Sequence, residues 1–144
     1  MIIPIARITP HTDAVVSAIE AIPMPVERAA KPADGGWRGN PGTTDYVPYA
    51  VVYPSPGTPD GNEAEPLEYL NYSAQINIFG ITETQVERAA DDVRVALIGR
   101  RLAVVGRSTY PVQTPGGPPI RPDNSALPPV FMAVVEIAFR SQPA

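Results

Sequence analysis

Between Leu67 and Arg101 the chain carries one long alternating segment, LEYLNYSAQINIFG, a tight break, and one amphipathic segment, TETQVERAADDVRVALIG. Side chains alternate along a strand, so Leu70, Tyr72, Ala74, Ile76 and Ile78 share one face, and Asn71, Ser73, Gln75 and Asn77 share the other. Gly80 ends the strand. Thr82 is placed to N-cap a helix, with Gln85 three residues on as its capping-box partner. Val86, Ala89, Ala90, Val93, Ala96 and Leu97 recur at helical spacing, and Gly99 supplies a stop. A half-buried strand turning directly into a helix commits the chain to a sheet with helices laid on it. The unit carries no catalytic group.

At 144 residues the chain is expected to form a single domain over 1–144, burying about 68–70% of its unfolded surface. Its 19 prolines stand well above the ~5% average, yet Gly and Pro together stay below the level of wholesale disorder. The prolines concentrate in three segments, 23–46, 54–66 and 114–129, which read as long polar loops. A net charge of −4 argues against nucleic acid as a principal partner, since phosphate binding needs a basic field. There is no cysteine, so disulfides and thiolate metal sites are excluded. No apolar run approaches the ~20 residues of a membrane span, and MIIPIARI, interrupted by Pro4 and Arg7, does not read as a signal peptide.

The remaining elements follow from the same rules. Pro10 to Ile22 reads as a helix with Thr9 as N-cap, Asp13 in the first turn, and a stripe of Val15, Ala18, Ile19 and Ile22. Val47–Tyr53 is a short strand and RRLAVVG a second one. The closing VFMAVVEIAFR, apolar on both faces, is a central strand. The expected fold is α+β: an antiparallel sheet of about four strands with two helices packed on one face, a projecting β-hairpin and long Pro-rich loops. Strand Tyr69–Phe79 spans about 36 Å at ~3.3 Å per residue. Helix Glu83–Ile98 spans only about 24 Å. The strand therefore outruns its helix, and Leu67, Tyr69 and Leu70 are expected to project as an arm with Val47–Tyr53, available for assembly.

Chemistry finds little material. His11 is the only histidine, so His-pair metal sites and Ser-His-Asp triads cannot be assembled from it, and its place in the first turn of a helix predicts a surface position. Asp91 and Asp92 lie ~100° apart on their helix and cannot jointly clamp a substrate. Asp60, Glu63, Glu65 and Glu68 lack the alternation of a calcium loop. GGWRGNPG lacks the Lys-Ser/Thr of a phosphate cradle. No catalytic, cofactor or metal residue is assigned, and no cofactor is expected.

Interface candidates are easier to name. Trp37, with Arg38 beside it, sits in a Gly-rich stretch where a rigid aromatic needs something to bury it, and Tyr49 and Tyr53 add aromatic anchors. Five arginines and no acid lie between Val93 and Pro122, while the acidic cluster precedes the long strand. Arg100 and Arg101 either meet acids of a neighbouring subunit in a head-to-tail ring or fold back toward Glu65 and Glu68 of their own chain.

In that order, TDAVVSAIEAI, YAVVYPSPG, the YSAQINIFG strand leading into TQVERAADDVRVAL, and VFMAVVEIAFR resemble a tail terminator protein of a long-tailed bacteriophage. The resemblance covers most of the chain by order of elements. It implies a small α+β subunit forming a ring, a hexamer in this family, that caps the tail tube, stops its polymerisation and presents the surface that joins the head. Its implied partners are further copies of itself, the tube protein and a neck or connector protein, with no sequence-specific nucleic acid and no membrane. Its implied place is the head-proximal end of the virion tail, after assembly in the host cytoplasm. A head–tail connector subunit is the alternative within phage assembly. A small-molecule-binding or enzymatic α+β domain is the alternative of a different class.

Overall fold

A computed structural model of the chain describes residues 5–60 and 68–144. Two helices lie on one side of a mostly antiparallel sheet. In chain order the elements are α1 (Thr9–Glu20), β1 (Val26–Arg28), β2 (Gly36–Trp37), β3 (Tyr46–Val47), β4 (Tyr49–Pro54), β5 (Thr58–Asp60), β6 (Tyr69–Gly80), α2 (Glu83–Leu97), β7 (Arg107–Thr109), β8 (Gln113–Gly116), β9 (Arg121–Asp123) and β10 (Val130–Pro143). Eight strands form one sheet, ordered β1-β4-β6-β10-β7, with β5 added beside β6 and β8 and β9 beside β10. The α+β class and the central place of the last strand hold. The sheet is larger than the four strands expected, and its β1–β4 pair is parallel.

The strand-turn-helix unit forms as its residues dictate. Leu70, Tyr72, Ala74, Ile76 and Ile78 are buried under the helices, while Asn71 and Gln75 are exposed. Gly80 permits the turn: a Cβ there would stand 2.9 Å from the Val86 backbone nitrogen. Thr82 Oγ1 accepts from the Gln85 N–H at 3.1 Å. Gln85 Oε1 reaches back one residue beyond the cap, accepting from the Ile81 N–H at 2.7 Å, so the box is widened rather than closed on Thr82. Val86, Ala89, Ala90, Val93 and Leu97 face the sheet. With Val15, Ile19, Val52, Val135 and Ile137 they make one core.

Helix α1 differs from its expected form. Ile8 holds the cap position with no side-chain bond, Thr9 is already helical, and Asp13 lies past the first turn, paired with Arg28 of β1. The larger correction is His11, which is 1% exposed rather than on the surface. Its helix runs over the start of β6, which α2 is too short to reach, and a residue in the first turn there faces the sheet. The ring stacks on Tyr72 at 5.8 Å and lies 5.9 Å from Phe139.

The expected overhang is corrected for the same reason. Leu70 is 1% exposed, paired with Pro59 of β5 on one side and Ser141 of β10 on the other. Tyr69 is half-buried. Leu67, Glu63 and Glu65 lie outside the described residues.

The expected loops hold order that periodicity did not reveal. Residues 23–46 contain β1, β2 and the first residue of β3, which pairs with β2. Residues 114–129 contribute to β8 and supply β9, both against β10. RRLAVVG is not a strand. Leu102 and Val104 are buried from an irregular segment, and the strand begins only at Arg107.

Candidate functional site

Most of the candidate residues fall into two groups at opposite ends of β6, about 30 Å apart from Leu70 to Phe79 at ~3.3 Å per residue, with Tyr53 between them opposite Gln75. At the Phe79 end, residues 29–48 fold back over the sheet face that the helices leave uncovered. Gly35 passes so close to Tyr49 that a Cβ there would stand 2.7 Å from that of Tyr49. Trp37 is half-buried, edge-on to Tyr46 with centroids 5.1 Å apart, and Tyr49 stacks on Phe79 at 5.0 Å. A pocket of about 200 Å³ opens among these rings, with Lys31 and Asp123 at its sides. Burial, then the neighbouring Tyr49 phenol, push the Tyr46 hydroxyl well above its ordinary range, and burial raises Tyr49 too. Neither phenol is a base at neutral pH.

Tyr49 is therefore an internal anchor, corrected from an exposed interface candidate, because the folded-back segment covers it. Trp37 meets its burial partner within the chain. Arg38 is exposed, its backbone N–H bonded to Asp45 O at 2.9 Å, and Tyr53 is 41% exposed at the end of β4. Phe79 is not among the aromatics that the sequence marks as anchors. The signal for Phe79 was present: it continues the Asn71–Asn77 row, and an aromatic in a polar row marks a place where something covers the sheet.

At the Leu70 end, His11 anchors a closed polar network. Its Nδ1 donates to Arg7 O at 2.7 Å, which a carbonyl can only accept, so Nε2 of the neutral ring accepts from the Ser141 hydroxyl at 2.6 Å. Ser141 Oγ accepts in turn from Arg107 Nε at 3.2 Å and Nη2 at 3.0 Å, and Nη2 also donates to Glu68 O at 2.6 Å. Desolvation lowers the His11 pKa, and the nearby Arg107 charge lowers it further against the opposing Arg7 carbonyl. Ser141 is wholly buried, so this histidine–serine pair is closed off from solvent. Tyr69 lies under the Arg140 guanidinium at 4.8 Å.

Arg100 and Arg101 are exposed and bond backbone carbonyls: Arg100 Nε to Val95 O at 3.2 Å, Arg101 Nη1 to Thr109 O at 3.1 Å. It is Arg107, not these two, that folds back to Glu68. Arg100 and Arg101 also line an open groove of about 770 Å³ between α1 and the end of α2.

The sheet edges are short and interrupted. β1 has three residues and is followed by Ala29 at φ +52°, which turns the chain away. β5 has three residues with a proline at its centre, and the β7 carbonyl of Thr109 is occupied by Arg101. Short, interrupted edges of this kind are poor templates for pairing with another chain. Among the described residues no group of three metal-ligating side chains converges, and no helix is long and apolar enough to cross a membrane.

No protein-family model matches the chain, and no curated protein does. Seven chains of solved structures match it. One, whose name assigns it no activity, aligns with 92% of this chain and 96% of its own at 14% identity, with a TM-score of 0.52. At that identity the likeness shows the fold alone.

Proposed function

We propose that this chain is a structural subunit of a long-tailed phage virion, a tail terminator that forms a ring on the end of the tail tube, stops its growth and offers the surface that joins the head. The observation that carries this reading is the β6–α2 unit. The segment on which the resemblance rests is also the centre of the fold, and its side chains are spent on packing and capping rather than chemistry. Two further features support it. The single histidine is sealed away with Ser141, which leaves an enzymatic role without its most versatile proton carrier. The interrupted edges favour association through faces and loops, the exposed Tyr53, Arg38, Arg100 and Arg101 among them.

Negative-stain imaging and sedimentation equilibrium test the reading, with purified tail tubes as partner. Rings, or ring formation at tube ends, are the expected result; a strictly monomeric protein that never binds tubes overturns it. The alternative, a connector ring of the head–tail neck, rests on the same features. A null mutant separates the two: overlong tails mark the terminator, and tail-less heads beside normal free tails mark the connector.

A further inference from the structure

We infer that the α1/α2 groove is a self-association surface, and that its occupant is the acidic flank of α2 from a second copy of this chain. The inference rests on the ring reading above and names the contact that would build the ring. The floor of the groove is made of small side chains, Ala14, Ala18 and Ala96 among them, which let another backbone come close. Arg100 and Arg101 line it as well; they are exposed, bond backbone carbonyls and meet no carboxylate among the described residues. The acid that lines the groove, Asp13, is already paired with Arg28.

The complementary surface is on α2 itself. Glu83, Glu87 and Asp91 are exposed and follow one another at four-residue steps, an arrangement of like charges that destabilises a helix unless a cation covers it. Asp91 has a loose intrahelical partner in Arg94 at 3.8 Å. Val95, next in the same row, is 69% exposed, an apolar contact at the end of an acidic stripe. At ~100° per residue the stripe and Ala96 fall on opposite flanks of the helix. One copy thus carries a basic, small-floored groove on one flank and an acidic ridge on the other. A surface that pairs with a different surface on the next copy is heterologous, and heterologous contacts propagate into rings when the rotation closes. Opposite charge sets the register and suppresses the reversed pairing.

Charge reversal tests the contact on the whole chain. The groove variant Arg100→Glu/Arg101→Glu and the ridge variant Glu83→Arg/Glu87→Arg should each self-associate at least about tenfold more weakly than wild type in sedimentation at low salt. Circular dichroism and thermal melts establish that each variant is folded. Mixed together, the intact ridge of one variant meets the intact groove of the other and the two reversed surfaces also match, so the mixture should recover assemblies in which the two variants alternate. Combining all four substitutions in one chain should restore the wild-type oligomer. Folded variants that assemble like wild type overturn the groove assignment and leave the ring reading standing. A mixture that stays monomeric, or a combined variant without recovery, does the same. Wild type that remains monomeric with and without tail tubes overturns the contact and the ring together.

Discussion

His11 Nε2 lies 2.6 Å from Ser141 Oγ, joining the first turn of α1 to the last residues of β10 across 130 positions of chain. Both side chains are buried, at 1% and 0% exposure. The serine hydroxyl gives its proton to histidine and both its lone pairs to Arg107, so every capacity at that oxygen is used.

This arrangement makes stability depend on pH in a definite direction. The folded His11 pKa lies below the ordinary 6.5, so between those two values the unfolded chain binds the extra proton. Stability is therefore full above about pH 6.5 and is lost as pH falls through the folded pKa. Urea unfolding measured between pH 7.5 and 4.5, a range of about three units around the His reference value, should show this loss in wild type. Replacing His11 by Gln should remove the histidine's share of the slope; an unchanged slope would place the titration elsewhere.

Ser141→Ala should destabilise by about 1–3 kcal/mol, the cost of leaving a buried His11 nitrogen and part of the Arg107 fork without their acceptor or donor. The readout is the denaturant midpoint at unchanged m-value.

Thr12 Oγ1 and Tyr72 OH are 2.8 Å apart inside the core. Tyr72→Phe alone should cost about 1 kcal/mol or more by orphaning the threonine hydroxyl, and Thr12→Val alone a similar amount by orphaning the phenol. The double variant should cost less than the sum, because both polar groups are then gone. Strict additivity in the cycle would deny the pair.

At the other end of the sheet, Gly35→Ala should cost about 1–3 kcal/mol through overpacking against Tyr49. Phe79→Ala, which removes the stacking partner of Tyr49, should loosen residues 29–48 selectively. Hydrogen exchange should then rise at Arg38 N, bonded to Asp45 O, with little change in β6 and β10.

Thr82→Ala should cost about 1 kcal/mol by freeing the Gln85 N–H from its cap, measured as a lowered melting temperature. The matching change at Thr9 should cost little, since that residue caps nothing.

The parts of the fold legible in the chain were those whose signal is local. Alternation over Tyr69–Gly80, the Thr82 cap, the stripe from Val86 to Leu97 and the apolar closing strand each state their structure within a few residues. The short strands β1, β8 and β9 were not legible, because three or four residues carry no period and their pairing is chosen by long partner strands. Tyr49 and Leu70 were not readable as buried, since what covers them comes from residues 29–48 and from β5 and α1.

The sequence by itself determined that a polar-and-apolar strand turns at Gly80 into a capped helix, and that His11 stands alone as a titratable ring of its kind. Only the tertiary structure decided where that histidine faces, which arginine returns to Glu68, and that the early part of β6 lies under α1 instead of projecting. Periodicity and capping act between neighbours a few residues apart and are written in the chain. Burial depends on which distant segment arrives to exclude water, and that is set when the sheet assembles.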